Sequence, residues 1–194
     1  VTERELPMWV ADMDFETAPE IREALRHRVE HGIFGYNVVT GDWYDAYQSW
    51  WGRRHQLELE RELLVFCTGV VPAISSAVRK LTTVGENVLV QTPVYNIFFN
   101  SIRNNGRNIL ESPLVYDGSG YSIEFRDLEE KLANPQTTLM LLCNPHNPVG
   151  KIWDRETLAR IGELCARHHV LVLSDEIHCD LTDPGCEYVP FASV

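Results

Sequence analysis

The sequence predicts an α/β fold: a doubly wound, mostly parallel sheet with helices on both faces. Three apolar runs, Val88–Val90, Thr138–Cys143 and Val170–Leu173, lack the polar alternation of a half-exposed strand, which indicates strands covered on both faces. Segments with helical spacing separate these runs, and this alternation is typical of parallel sheets. With 194 residues, the chain is long enough to bury such a core.

The other elements follow from local periodicity in chain order. Apolar residues at helical spacing, with a proline near the start, predict a helix over Pro19–Glu30 that Gly32 ends. An aromatic-rich helix is expected over Asp42–His55. Further expected elements are a strand over Leu63–Phe66, helices over Pro72–Leu81 and Tyr95–Asn104, a strand and turn within Arg107–Tyr121, and helices around Leu128–Leu132 and over Arg155–His168.

The composition excludes several classes of protein. The formal net charge is −11, and nonspecific nucleic-acid binding needs an excess of Lys and Arg, so no nucleic-acid partner is expected. No apolar run reaches the roughly 18 residues of a transmembrane helix, and the first residues do not resemble a signal peptide. Five cysteines without a C-x-x-C pair argue against a disulfide scaffold or zinc knuckle and favour the reducing cytoplasm.

Polar residues follow four of the predicted strands. They occupy Cys67–Gly69, Gln91–Tyr95, Asn144–Pro148 and Ser174–His178. In doubly wound sheets, ligands bind beyond the carboxyl ends of the strands. The sequence therefore predicts a ligand site built from these four segments.

Thr68–Pro72 connects a predicted strand to a helix. Gly69 can allow a tight turn and a close approach to a ligand, and the helix N-terminus offers N–H groups to an anion such as phosphate. Pro72 suits the first helical turn. A plain connecting turn explains the segment as well, because the pattern is neither G-x-G-x-x-G nor a P-loop.

Asp175 follows four apolar residues, which predicts a carboxylate at the mouth of a dry pocket. An unpaired charge there is costly, and a cation such as a protonated heterocycle nitrogen would relieve the cost. The alternative is a helix cap, since Ser174–Glu176 also resembles a helix start. His178 is one helical turn beyond Asp175, so both could face one pocket. His146 and His178 lack the pattern of spaced carboxylate or Cys partners that a zinc site needs, so no metal is expected there.

Two further side chains are candidates for ligand contacts. Asn147 lies in a loop that two prolines and a glycine hold in a non-helical form, so its amide could donate to a ligand oxygen. An Asx-turn is the alternative. Tyr95, at the start of a predicted helix, could stack on a planar ligand, or it could be a core tyrosine.

Together these motifs resemble the fold-type I pyridoxal-phosphate (PLP) enzymes of the class I/II aminotransferase superfamily. Asn144–Gly150 resembles the family's N-P-x-N-P-[TV]-G loop, and Ser174–His178 resembles the strand end that meets the cofactor nitrogen. Met8–Phe15 and His178, where most aminotransferases carry Tyr, resemble the MalY/PatB group of cystathionine β-lyase-like C–S lyases. The resemblance implies a PLP-dependent transferase-like large domain over 41–194, and an N-terminal arm with a small-domain segment over 1–40.

The resemblance implies PLP as the cofactor and gives roles to residues at the strand ends. Asp175 would pair with the protonated pyridine nitrogen and keep the ring electron-withdrawing. Asn147 would hydrogen-bond the phenolic oxygen of the ring, with His178 nearby. Tyr95 would stack on the ring face.

It also implies contacts to the phosphate and the substrate. The backbone amides of Val70 and Val71 would hold the phosphate, and Tyr36 would reach the phosphate of the neighbouring subunit. Ala11 would offer a backbone amide to the substrate carboxylate. A site shared in this way implies a homodimer that acts on a small-molecule amino acid.

The implied reaction is the β-elimination of a thiol from a cysteine thioether, which yields pyruvate and ammonia. It needs a lysine that carries the cofactor, and none of Lys80, Lys131 or Lys151 follows Asp175 as the family lysine does. We therefore assign no catalytic residue to this chain and interpret it as about half of a family member. The alternatives are an aminotransferase, a catalytically incomplete regulatory or binding protein of the same fold, and an unrelated nucleotide binder that uses Gly69.

Overall fold

The computed structural model describes residue 5 and residues 15–194. Contacts divide the chain into a unit that ends at Val39 and a larger unit over Thr40–Val194. In the smaller unit, helix α1 (Pro19–His31) begins with proline and ends at Gly32, whose φ of 73° is the left-handed value that glycine adopts most easily. Ala11 and nearly all of the Met8–Phe15 motif lie outside the described residues.

The larger unit alternates helices and strands as predicted. In chain order its elements are α2 (Gly41–His55), α3 (Val70–Leu81), β1 (Asn87–Thr92), α4 (Ile97–Arg103), β2 (Asn108–Tyr116), β3 (Tyr121–Ile123), α5 (Phe125–Leu132), β4 (Thr137–Cys143), α6 (Arg155–Arg167) and β5 (Leu171–Asp175). Within the described ranges, no helix combines the length and the apolar character that a membrane crossing requires.

The strands form one sheet in the order β3-β2-β1-β4-β5. Neighbours are parallel except β2 and β3, which form an antiparallel hairpin. Cys143 at the end of β4 lies opposite Asp175 at the end of β5, so the carboxyl ends of these strands are level. The mostly parallel sheet is therefore confirmed, and its carboxyl edge carries the residues of interest.

The two faces of the sheet bury two separate apolar clusters. Leu139 and Leu141 of β4 pack with residues of α3 and α4, including Ile74 and Phe98. Met140 and Leu142 belong to the other cluster, with residues of α5 and α6. Because successive side chains of a strand point to opposite faces, an uninterrupted apolar strand needs a cover on each side. The predicted helices on both faces are confirmed.

Two expectations about strands are wrong, wholly or in part. Leu63–Phe66 is not a strand. A short 3-10 turn over Arg61–Leu63 includes its first residue, and Val65 is 82% exposed. No strand in the described part of the chain pairs with this segment, and an apolar run without a hydrogen-bonding partner is not a strand. β5 is less buried than expected. Within the described residues it is an edge strand that pairs only with β4, and the Leu171 side chain is half exposed.

Candidate functional site

The site begins where β4 and β5 end together. The Asn144 amide N–H donates to the Asp175 carbonyl at 3.0 Å, which extends the ladder one residue beyond β4. The loop that follows Asn144 therefore starts directly beside Asp175. This proximity is the one that the parallel order of the strands predicts.

Asn144 itself holds three segments together. Its side chain is fully buried, Oδ1 accepts from the Trp153 amide at 3.2 Å, and Nδ2 donates to the Val189 carbonyl at 3.1 Å. Both ends of this side chain therefore have partners, so it positions the loop rather than a ligand. Sequence reasoning missed this role, although a polar residue directly after a buried strand is a signal for it.

Cys143 and His146 fix the position of the loop through hydrogen bonds. The Asn147 amide donates to Cys143 Sγ at 3.4 Å, and burial raises the pKa of this thiol to about 11, so it stays protonated near neutral pH. His146 Nε2 lies 3.0 Å from the Pro93 carbonyl, which joins this loop to the segment after β1. Burial lowers the pKa of His146, so a neutral ring donates this bond.

The half-buried Asn147 side chain has no hydrogen-bond partner among the residues that the structure describes, and the Asx-turn alternative is not observed there. The Asn147 backbone N–H is held by Cys143 Sγ, while the side-chain amide is free to contact a ligand. This is the arrangement expected of a rigidly presented polar contact.

Asp175 is a half-buried carboxyl group at the carboxyl end of β5. Burial raises its pKa, against the opposing effects of the Ile177 amide, which donates to Oδ1 at 3.2 Å, and of the charge on His178. Within the described ranges, the Ile177 amide and His178 are the two groups that lower this pKa. A buried carboxylate with so little compensation is stabilised by a further cation.

The segment after Asp175 is a turn, so the predicted helical relation of Asp175 to His178 is wrong, and so is the helix-cap alternative. The turn forms because the Cys179 amide donates to the Glu176 carbonyl at 3.0 Å. His178 nevertheless lies close enough for its charge to lower the pKa of Asp175. Sequence reasoning missed Glu176, whose Oε1 accepts from Ser174 Oγ at 3.0 Å and from the Phe191 amide at 2.9 Å.

The N-terminus of α3 lies beside these strand ends, because Val70 packs against the cluster that contains Cys143. No side chain caps the helix and no acidic residue lies in its first turn. The Ala73 amide bonds to the Gly69 carbonyl at 3.2 Å, while the Val70 and Val71 amides have no partner within the described part of the chain. Free amides at a helix start bind anions.

The tight turn predicted to need glycine at Gly69 is not observed. Its φ of 169° is extended backbone that any residue adopts, and an added Cβ would meet Pro72 only at an ordinary 3.5 Å. The backbone therefore does not require glycine here. Because glycine has no side chain, a ligand can still approach the backbone closely at Gly69. Pro72 lies in the first helical turn, as predicted.

The two candidate tyrosines lie in different units. Tyr95 is two residues before α4 rather than on it, because the helix begins at Ile97. Its ring meets Phe98 edge-on, with centroids 6.1 Å apart, and remains 37% exposed, which disfavours a core role. Tyr36 belongs to the smaller unit, where its side chain is fully exposed.

The three lysines have other surroundings. Lys131 Nζ pairs with Asp127 at 2.7 Å, and Lys151 Nζ lies 5.9 Å from the centre of the Trp153 ring. Lys80 is in the last turn of α3, about 15 Å along the helix axis from Val70. The absence of a catalytic lysine among these three therefore stays a prediction.

Among the described residues, the strand ends and the helix start together offer a partly compensated carboxylate at Asp175, the free side-chain amide of Asn147, the exposed ring of Tyr95 and the free Val70 and Val71 amides. Such a set suits a planar ligand that carries a protonated ring nitrogen at one end and an anionic group at the other.

Comparison with known proteins gives a family and several relatives. The family model for aminotransferase class I and II matches residues 6–193. Cystathionine beta-lyase PatB of Bacillus subtilis is 49% identical over 97% of this chain and 49% of PatB. Protein MalY of Escherichia coli is 36% identical over 97% of this chain and 49% of MalY.

A solved structure agrees with the fold. The crystal structure of cystalysin from Treponema denticola, which contains pyridoxal 5'-phosphate, has a TM-score of 0.95 and 36% identity, and the match covers 100% of this chain and 49% of that one. The chain thus spans about half the length of the curated relatives it matches.

Proposed function

Since the chain belongs to the aminotransferase class I and II family, we propose that it is the PLP-binding part of a C–S β-lyase of the cystathionine β-lyase type. The reaction is the α,β-elimination of a cysteine thioether, which with one water gives pyruvate, ammonia and a thiol. When bound, PLP withdraws electrons from the substrate and makes its Cα proton acidic. In this proposal residues 41–194 form the large domain, and residues 1–40 form the arm and small-domain segment.

The observation that carries the proposal is Asp175. Its carboxyl group is half buried, burial raises its pKa, and among the described residues only the Ile177 amide and His178 act to lower that pKa. A pyridinium nitrogen supplies the missing positive charge. In return, the carboxylate keeps that nitrogen protonated, which sustains the electron-withdrawing ring.

The start of α3 fits the phosphate. The Val70 and Val71 amides are free donors within the described part, and the absence of acidic side chains in the first turn leaves the positive end of the helix dipole uncompensated. A phosphate dianion satisfies both. We assign Tyr36 to the phosphate of the partner subunit in a cytoplasmic homodimer.

The remaining contacts concern the ring and the substrate. The Asn147 amide, presented by a loop fixed through Cys143, is assigned to the phenolic oxygen of the ring, with His178 beside Asp175. The exposed ring of Tyr95 is assigned to stacking. The Ala11 amide is assigned to the substrate carboxylate.

Cofactor binding tests the proposal directly on this chain. The chain is titrated with PLP and followed by absorbance and protein fluorescence, and the same titration with pyridoxal, which lacks the phosphate, isolates the contribution of α3. We expect PLP to bind at least about 10-fold more tightly than pyridoxal, since charge-assisted hydrogen bonds contribute about 1.5–3 kcal/mol each. Equal binding of the two would contradict the role of Val70 and Val71.

A matched pair of variants tests Asp175. Asp175→Asn removes the charge that pairs with the ring nitrogen and is expected to weaken PLP binding about 10-fold or more. Asp183→Asn removes the same charge from an exposed position outside the proposed site and is expected to change nothing. PLP binding that is unaffected by Asp175→Asn, or binding of ATP or NAD in place of PLP, would refute the proposal.

The reaction is tested with a full-length protein that carries this chain. Pyruvate, ammonia and thiol released from cystathionine in equal amounts would support the lyase. Transfer of the amino group to a keto acid, without pyruvate release, would assign an aminotransferase instead. Borohydride reduction with PLP followed by mass measurement reports the lysine: an adduct outside Lys80, Lys131 and Lys151 is expected.

A further inference from the structure

A second cluster of reactive side chains lies outside the proposed cofactor site. His55 is the last residue of α2, and Cys179 and Asp180 belong to the turn that follows β5. One ligand atom from each, the imidazole nitrogen, the thiol sulfur and a carboxylate oxygen, lies within 4.8 Å of the other two. We propose that these three residues bind a divalent metal cation such as zinc.

The donor set matches zinc chemistry. Zinc binds nitrogen, thiolate sulfur and carboxylate oxygen at about 2.0–2.3 Å, which in a tetrahedron places ligand atoms about 3.3–3.8 Å apart. His55 Nε2 and Asp180 Oδ1 are already 3.0 Å apart. The spread of up to 4.8 Å therefore closes with side-chain shifts of about 1 Å.

The second oxygen of Asp180 is held separately. Trp50 Nε1 donates to Oδ2 at 3.0 Å, while Oδ1 faces His55. A ligating carboxylate is commonly oriented in this way by a hydrogen bond to its other oxygen. The Trp51 ring packs on His55, with centroids 4.8 Å apart, and leaves the His55 side chain only 8% exposed. Two of the three ligands are thus oriented without the cation.

A cavity of about 420 Å³ adjoins the cluster, and His55, Cys179 and Asp180 all line it. Three protein ligands beside an open space leave a fourth position for water or for a small ligand, which is the pattern of an open rather than a closed zinc site. Cys186 also lines this cavity and is exposed. None of the residues assigned to PLP lines it.

The competing explanation needs no cation. Asp180 pairs with His55, accepts from Trp50 and lies 3.7 Å from Arg54 Nε, and these contacts alone join α2 to the turn after β5. The Cys179 side chain has no part in those contacts. Its replacement therefore separates the two explanations, because it removes a cation ligand and leaves the Asp180 contacts intact.

The test uses the full chain, freed of metal by a chelator and without PLP. Cobalt(II) is the first probe, because a thiolate ligand gives a charge-transfer band that water or carboxylate ligands do not give. Zinc is then added to displace the cobalt and, separately, to measure affinity against a coloured chelator. We expect one cobalt per chain, a thiolate band, and loss of that band on adding zinc.

Variants identify the ligands. Cys179→Ser and His55→Gln are each expected to abolish the cobalt band or lower zinc affinity at least about 100-fold, since even outer partners of a metal contribute 10–100-fold. Cys67→Ser, an exposed cysteine outside the cavity, is the matched control and should keep full affinity. Zinc should raise the melting temperature of the unaltered chain and of Cys67→Ser, but not that of Cys179→Ser.

Three results overturn the proposal. The first is absence of a thiolate band at one equivalent of cobalt. The second is an unchanged band in Cys179→Ser. The third is loss of the band in Cys186→Ser rather than in Cys179→Ser, because that result would identify adventitious binding by an exposed thiol. Far-ultraviolet circular dichroism of each variant shows that a lost band does not reflect a lost fold.

Discussion

Asn144→Ala is expected to destabilise the chain more than its size suggests. The side chain is fully buried and makes two hydrogen bonds, from Trp153 N to Oδ1 at 3.2 Å and from Nδ2 to Val189 O at 3.1 Å. Each bond contributes about 1 kcal/mol net, and a buried group left without a partner costs about 1–3 kcal/mol. Because two such groups lose their partner, the free energy of unfolding should fall by about 2–6 kcal/mol.

Urea and thermal unfolding measure this change. For a chain of this size about 1 kcal/mol corresponds to 2–4 °C, so a loss of 3 kcal/mol lowers the melting temperature by about 6–12 °C. Asn100→Ala is the matched control, because Asn100 is an exposed residue of α4, and a change within about 0.5 kcal/mol is expected. If Asn144→Ala costs no more than this control, the two Asn144 side-chain hydrogen bonds do not hold the loop.

Three other predictions rest on pKa shifts. Burial lowers the pKa of His146 below its ordinary 6.5, so the unfolded chain binds the extra proton; stability should fall as the pH drops below about 6.5, and His146→Gln should flatten that dependence in urea titrations. The Asp154 carboxylate accepts from the Thr157 amide at 2.8 Å at the start of α6, and its pKa is lowered; Asp154→Ala should cost about 1 kcal/mol of unfolding free energy and Asp154→Asn less, and the contribution of the native Asp154 should fade as the pH falls below 3.8. Burial raises the pKa of Cys165 to about 12, so iodoacetamide at pH 8 should modify the exposed Cys67 and spare Cys165 in the folded chain, as peptide mass mapping can show; equal labelling would contradict the buried position.

Local signals in the sequence were enough to predict several elements. β4 follows from an apolar run that helices bury on both faces, and the end of α1 follows from Gly32. Leu63–Phe66 has the same apolar character but no pairing strand among the described residues. An apolar run predicts burial, while a strand also needs a hydrogen-bonding neighbour that no local pattern reveals.

The same distinction applies to the site. The closeness of Asp175 to the Asn144 loop follows from sheet topology, because the carboxyl ends of parallel strands meet at one edge. The role of Asn144 does not follow, since its partner Val189 is 45 residues away. The approach of His55 to Asp180, 125 residues apart, is likewise a product of tertiary packing. A polar residue directly after a buried strand, such as Asn144, can be recognised in the sequence, but its distant hydrogen-bond partners cannot.

Within the described residues, one side of β5 has no pairing strand, and this bears on how copies of this chain behave together. An unpaired strand edge is a template for another strand, and β5 adds a half-exposed Leu171 to its open backbone groups. The net charge of −11 opposes such encounters through mutual repulsion. That repulsion acts over about 8 Å at physiological ionic strength and about 3 Å at 1 M salt. Salt thus weakens this repulsion while leaving the strand edge unchanged, so self-association of the chain is expected to increase with ionic strength.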